Sequence, residues 1–381
     1  MRTARGKDMT TPAITGTGVY TPKEIITNDE LVAAFNTYAE GFNAENAGAI
    51  AAGKVAAKEL SSSEFIVNAS GINQRYVMDR SGVLDPGIMH PVLRARDDEE
   101  PAIMAEMAIA AATQALQASG RDPADVDLVI CAASNHERAY PAIAIEIQKL
   151  LGAGGFAFDM NVACSSATFG IQAAADMVRA GSARCALIVN PEICSAHLEW
   201  RDRDCHFIFG DVCTATIVEP AGVAKGAHFV IRSTRCATQF SNNIRNNNGY
   251  LRRTRPGQMQ DRRDMQFMQE GRKVFKEVLP LVSKHIARHL DQEGVTADQL
   301  KRLWLHQANK SMNDFIGRKV LGRVPSPDEQ PNILQDYANT SSAGSIIAFS
   351  KYCDDLIPGD TGLICSFGAG YSVGSVLVER A

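Results

Sequence analysis

The stretch ALQASGRDPADVDLVICAASN, residues 115–135, returns in altered form as HLDQEGVTADQLKRLWLHQAN, residues 289–309. Each reads as the end of a helix, a glycine, an acidic turn, a short apolar strand and an asparagine. Gly120 stands to Gly294 as Asn135 stands to Asn309, 174 residues on in both cases. Further along, CSSA at 164–167 meets TSSA at 340–343, and Leu187-Ile188 meets Leu363-Ile364, both at a spacing of 176. Matches kept in one order point to a duplicated chain. Coincidence between two ordinary strand–helix units is the alternative. The halves run over 12–220 and 225–381. Two stretches do not repeat: 34–62, read as an inserted helical excursion, and 240–265, read as a polar loop.

Strand-like runs at 126–133, 185–190, 213–219, 302–306, 361–367 and 374–379 alternate with alanine-rich helical stretches at 102–118 and 165–179. Short buried strands between helices predict an α/β fold with mostly central strands. PAIAIEIQKLLG, 141–152, carries Pro at a helix start and Gly at its end. The 381 residues are 45% hydrophobic and 22% charged, with a net charge of −4. This supplies ample core and gives no global reason to expect nucleic acid or a membrane surface as partner. No apolar run reaches the roughly 18 residues of a membrane span. The basic N-terminus lacks a signal-peptide core, and Met9 is an alternative start. A cytoplasmic protein is expected. Nine cysteines without CxxC pairs read as buried thiols in a reducing compartment, not as disulfides or a metal site.

One cysteine stands apart. In NVACSSATFG, 161–170, Cys164 opens a helix that is apolar nearly all round in its first turns. A thiol there meets unpaired N–H groups and the positive end of the helix dipole, which favour thiolate. A small residue chosen for close helix packing is the competing reading. On the repeat, Thr340 is the counterpart of Cys164, and Asn339 precedes it. His306 ends the strand RLWLH, and sites in open α/β sheets form beyond the carboxyl ends of strands. A satisfied core histidine is the competing reading there. Cys, His and Asn together allow two chemistries. One is hydrolysis by a papain-like triad, although ACSSA lacks the residues usual around that nucleophile. The other is Claisen condensation, with an acyl thioester on Cys164 and with His306 and Asn339 donating to a thioester oxygen as a malonyl group loses CO2.

These residues resemble β-ketoacyl-acyl-carrier-protein synthase III, an initiating condensing enzyme of the thiolase superfamily. The similarity runs from GTGVYTPKEIITNDEL at 16–31 almost to the C-terminus. Its marks are ACSSATFG around Cys164, HQAN at 306–309, ANTSSAGS at 338–345, GRKVFK at 271–276, FGD at 209–211 and FGAGYSVG at 367–374. The resemblance implies a thiolase-like, five-layered αβαβα fold built from two duplicated halves, and a homodimer. It implies Cys164, His306 and Asn339 as the catalytic set, with backbone N–H groups of Cys164 and Ala369 as oxyanion hole. Ala369 replaces a family glycine. Tyr140 takes the place of an aromatic that caps the partner's acyl pocket, against a core aromatic as the alternative. Asn309 matches a residue near the pantetheine arm, and Lys276 a carrier-protein docking site. The partners implied are acyl carrier protein and acyl-CoA or acyl-carrier thioesters, with no tightly bound cofactor.

The departures concern the substrate. Phe65 and Ala69 stand where the family often has a Trp and an Arg holding the adenine end of CoA. Ser311 replaces a basic residue, and DVCTA at 211–215 replaces DGAGA. The stretches 34–62 and 81–100 are expected near substrate entrances. Glu137 lies near the pocket-capping segment, with surface placement as the alternative to a catalytic role. Nine basic residues, Arg245, Arg252, Arg253, Arg255, Arg262, Arg263, Arg272, Lys273 and Lys276, form a patch suited to an acidic carrier or to a solvated face. The expected activity is condensation of a primer on Cys164 with malonyl-acyl carrier protein to a 3-oxoacyl product. Alternatives are acyl transfer to an alcohol or amine, and a non-catalytic subunit of a synthase.

Overall fold

The computed structural model describes residues 10–246 and 262–381. Met9, Arg252, Arg253 and Arg255 lie outside them. Thirteen strands are present among the described residues: β1 Pro12–Tyr20, β2 Glu24–Thr27, β3 Gln74–Val77, β4 Leu128–Ala132, β5 Phe156–Met160, β6 Ala186–Glu192, β7 Val212–Pro220, β8 Phe229–Ser241, β9 Ile244–Arg245, β10 Met268–Gln269, β11 Leu300–Leu305, β12 Thr361–Gly368 and β13 Gly370–Arg380. Nine form one sheet in the order β11-β12-β13-β8-β1-β7-β6-β4-β5.

Outward from the β1–β8 seam, the two halves run alike. β1 is followed by β7, β6, β4 and β5, and β8 by β13, β12 and β11. β4 and β6 are parallel, as are β11 and β12. The registers correspond too: Leu128 faces Ala186 and Ile130 faces Ile188, while Arg302 faces Gly362 and Trp304 faces Ile364. The spacings of 174 and 176 therefore survive as strand pairings. No counterpart of β5 is formed among the described residues of the second half.

Alternation along the strands builds the layers, because successive side chains leave opposite faces. Leu128, Ile130 and Ala132 turn inward with Ile364, Val376 and Val378. Between these inner faces lie helix Ser166–Ala180, through Ala167, Ile171 and Ala174, and helix Gly344–Lys351, through Ile346, Ile347 and Phe349. Val129, Cys131 and Leu187 turn outward onto helices Ile103–Ser119 and Ile143–Leu151. On the far side Leu303, Leu363 and Leu377 meet helices Gly271–Gln292 and Lys310–Leu321. The order is helix, sheet, helix, sheet, helix, the five layers expected.

Local chemistry accounts for several elements. Helix Ile143–Leu151 ends at Gly152 with φ +75, a left-handed cap that glycine takes without a Cβ clash. Gly16 and Gly18 let helix Ile103–Ser119 lie directly on β1, since a Cβ would come within 2.3 Å of the Ala115 carbonyl oxygen and 2.1 Å of that of Ala111. The 34–62 insertion forms helix Asn28–Glu45, capped by Thr27 and Glu30, and helix Ala47–Ala51. Leu31 and Phe35 join Ile66, Trp200 and Phe207 in a fourth core beside the sheet. Among the described residues no helix is long and apolar enough to cross a membrane.

Candidate active site

Cys164 lies in a single turn, Ala163–Ser165, immediately before helix Ser166–Ala180. Its pseudo-symmetric partner turn is Ser341–Ala343, before helix Gly344–Lys351. Hydrogen bonds fix how the turns correspond. Asn161 Oδ1 accepts from the Ala163 N–H at 3.0 Å, and Asn339 Oδ1 accepts from the Ser341 N–H at 2.9 Å. Ala163 and Ser341 both have positive φ, +47 and +50. The counterpart of Cys164 is thus Ser342, not Thr340. The match on the letters SSA is displaced by two residues, because Asn-x-x, not the small run, sets each turn.

Ser341 Oγ donates to Cys164 Sγ at 3.4 Å. Gly368 passes so close that a Cβ there would stand 2.6 Å from Cys164 Cβ and 2.9 Å from Sγ. Burial pushes the thiol up to about 11, against the lowering effects of the Ser341 hydroxyl and the backbone N–H groups of Ala369 and Cys164 itself. The waiting state is a neutral thiol, contrary to the thiolate expected from the helix start. Desolvation outweighs the favourable donors.

His306 follows β11, and its ring meets Phe367 edge-on at 5.1 Å. Burial pulls it down to about 3, so the imidazole is neutral at working pH. Its Nδ1 is buried with no hydrogen-bond partner among the described residues, and the Ser341 backbone acts on the ring against that fall. Asn339 is held by backbone bonds from its N–H to Ile208 O at 2.9 Å and from the Gly210 N–H to its carbonyl at 3.1 Å. With Oδ1 engaged by Ser341, Nδ2 is the atom left for a ligand.

Cys164, His306 and Asn339 line one cavity of about 280 Å³. Phe65, Phe207, Phe209, Phe267, Phe275 and Phe367 put six phenylalanine rings on its wall. Such a set can hold an acyl chain, present a sulphur nucleophile and offer two neutral donors to an oxygen. The face of Phe65 is covered by the Arg203 guanidinium, 4.0 Å from the ring centroid. Asn309 also lines the cavity, but its amide is engaged: Oδ1 caps helix Lys310–Leu321 through the Ser311 N–H at 2.9 Å, and Nδ2 donates to Ala69 O at 2.6 Å.

Other expected residues lie elsewhere. Tyr140 is 85% exposed and absent from this cavity, which excludes a core aromatic. Glu137 accepts from the Ile103 and Met104 N–H groups at 3.3 and 3.0 Å. It caps a helix, so the catalytic reading fails. Residues 90, 91 and 93–96 of the 81–100 stretch border a separate cavity of about 920 Å³. Lys276 is exposed on helix Gly271–Gln292, near Phe275 at the cavity wall. Cys131, His136 and Asp159 lie close enough to share an ion, yet Asp159 is engaged in capping helix Ile143–Leu151 through the Ile143 and Ala144 N–H groups. Residue-by-residue reading missed Ser341, Gly368 and Glu192. The repeated asparagines at 161 and 339 were the signal for the first.

Comparisons with known proteins bear on the chemistry. The family model of 3-oxoacyl-[acyl-carrier-protein] synthase III matches residues 158–237, and its C-terminal model matches 290–380. A β-ketodecanoyl-[acyl-carrier-protein] synthase of Pseudomonas aeruginosa is 55% identical over 348 residues, covering 91% of this chain and 99% of that protein. A β-ketoacyl-[acyl-carrier-protein] synthase III of Bordetella petrii is 30% identical, covering 98% and 99%. In fold, the crystal structure of 3-oxoacyl-[acyl-carrier-protein] synthase III from Aquifex aeolicus superposes with a TM-score of 0.74 at 24% identity, covering 97% and 99%.

Proposed function

The chain belongs to the 3-oxoacyl-[acyl-carrier-protein] synthase III family, and on that premise we propose that Cys164 carries the acyl primer for a decarboxylating condensation with malonyl-acyl carrier protein. The half 12–220 supplies the nucleophile and the half 225–381 supplies His306 and Asn339. Enzymes of this family use acyl-CoA and acyl-carrier thioesters as substrates, so no resident cofactor is required.

The steps follow from the atoms. Cys164 Sγ attacks the primer thioester, and its proton leaves with the departing thiol. The backbone N–H groups of Cys164 and Ala369 serve the oxyanion. The malonyl thioester oxygen then sits between the His306 ring N–H and Asn339 Nδ2–H. As CO2 departs, the electron pair of the broken C–C bond spreads onto that oxygen, and fixed neutral donors stabilise it without reorganisation. The enolate carbon attacks the acyl carbon on Cys164, forming the new C–C bond and releasing the sulphur as a thiolate, which takes up a proton from solvent to restore the thiol. A single cavity holding Cys164, His306 and Asn339, with the Ser341 hydroxyl on the sulphur, carries this reading.

A ten-carbon 3-oxoacyl product, as in the name of the Pseudomonas relative, needs an eight-carbon primer once malonyl has contributed two. We assign a medium-chain primer here, consistent with the phenylalanines on the cavity wall. The free edge of β5, with Tyr140, Ile145 and Phe156 exposed, favours a second copy of the chain as partner. Tyr140 would then face the partner's acyl pocket. Lys276, beside the cavity and next to Arg272 and Lys273, suits docking of the acidic carrier. The test is mass spectrometry of the protein after exposure to mixed acyl-CoAs: an adduct on Cys164, absent in Cys164→Ala. Labelled CO2 release from malonyl-acyl carrier protein separates condensation from acyl transfer to an alcohol or amine.

A further inference from the structure

Glu192 ends β6 inside the protein and is 1% exposed. Five donors among the described residues meet its two carboxylate oxygens, one of them the Cys194 thiol at 3.9 Å. Ser134, just beyond β4, gives its N–H at 3.0 Å and its hydroxyl at 2.5 Å. Ser342 gives its N–H at 3.3 Å and its hydroxyl in a short bond. Ser342 is the counterpart of Cys164 and the neighbour of Ser341, whose hydroxyl rests on the sulphur. One carboxylate therefore ties the first half's sheet to the turn that addresses the nucleophile. A structural cross-link alone could be made by neutral groups. The hydrogen bonds offset part of the cost of burying this acid among apolar strands, and they hold it beside the turn that addresses the sulphur.

We propose that Glu192 is a positioning residue for the Cys164 thiol, acting through Ser342 and the Ser341 turn and through its own charge on the sulphur. This rests on Cys164 being the nucleophile. The titratable groups around Glu192 are thiols: Cys131 on β4, Cys194 after β6, Cys213 on β7 and Cys164 itself. Burial pushes Glu192 up to about 7, while the serine donors hold it down. Its negative charge raises the Cys164 thiol. As pH rises through 7, the carboxylate ionises and opposes ionisation of the thiol.

The test is the rate of Cys164 alkylation by iodoacetamide against pH, with the site located by mass spectrometry. It needs no acyl substrate, so its failure is distinct from failure to find an acyl adduct. In the wild type, the logarithm of the rate should rise by less than one per pH unit around pH 7. In Glu192→Gln it should rise as a straight line of slope one, with alkylation at pH 8 about threefold or more faster, since one unit of thiol pKa is tenfold in thiolate. Ser342→Ala removes one donor to the charged form, so its bend should move above pH 7. This second variant keeps the test alive if Glu192→Gln does not fold. Equal slopes in wild type and Glu192→Gln, or an unmoved bend in Ser342→Ala, would overturn the proposal.

Discussion

Replacing Gly368 by alanine places a methyl 2.6 Å from Cys164 Cβ and 2.9 Å from its sulphur. Ordinary contact needs roughly 3.4–4 Å, so something must give by about 1 Å. The Cys164 turn cannot retreat freely. Ser165 Oγ donates to Ser372 O at 3.1 Å, and Ser372 Oγ donates to Ser165 Oγ at 2.9 Å. Gly368 also precedes Ala369, whose N–H faces the sulphur, so the shift moves nucleophile and oxyanion donor together. A misplacement of about 1 Å can cost on the order of a hundredfold in rate, and overpacking costs about 1–3 kcal/mol in stability. Rapid-quench mass spectrometry of Cys164 acylation should show the hundredfold loss. Thermal melting should show a folded protein with a modestly lowered midpoint. CO2 release from the malonyl donor, measured without primer, should be far less affected, because His306 and Asn339 come from other segments. A Gly368→Ala protein that acylates within threefold of wild type would refute the close approach as the reason for the glycine.

Ser341→Ala removes the hydroxyl from the sulphur, so alkylation of Cys164 by iodoacetamide at pH 8 should slow several-fold; an unchanged rate would show that the bond does not matter. His306→Ala or Asn339→Ala should leave acylation near normal and cut labelled CO2 release by about a hundredfold or more, as loss of one oxyanion donor does. His285 and His289 clasp Ser375 Oγ at 2.9 and 2.7 Å, and burial pulls both down to about 4 from 6.5. The unfolded chain binds those protons first, so their stability contribution is full above about pH 6.5 and is lost as pH falls toward 4. Urea midpoints should drop between pH 7 and pH 5, and by less in His285→Asn; an equal drop in both proteins would exclude the pair as the cause.

The apolar runs that became β4, β6, β7, β11, β12 and β13 were legible because burial on both faces demands continuous apolar residues. β1 was not, since PAITGTGVY carries the glycines that admit a helix onto its backbone, and those dilute the strand pattern. β8 was hidden by polar residues: Ser233 serves His289, and Arg232 pairs with Glu379. The catalytic candidates were visible as strand ends and helix starts. The protonation of Cys164 was not, because it depends on burial by segments distant in the chain, Gly368 and Ser341 among them. The turn register was misread for a related reason. Serine and alanine match cheaply, whereas the asparagine side chain bonding two residues ahead is a geometric requirement.

The seam between the halves has a consequence for how the molecule comes apart. β1 and β8 share only two paired positions, Ala13 with Val230 and Ile14 with Phe229. The backbone ladder is therefore almost interrupted at the middle of the sheet. Yet helices Ser166–Ala180 and Gly344–Lys351 are covered by strands of both halves. Opening either half would strip the apolar cover from both helices at once. Amide hydrogens on β4 and on β12, far apart in the chain, should therefore exchange with solvent through the same global opening event.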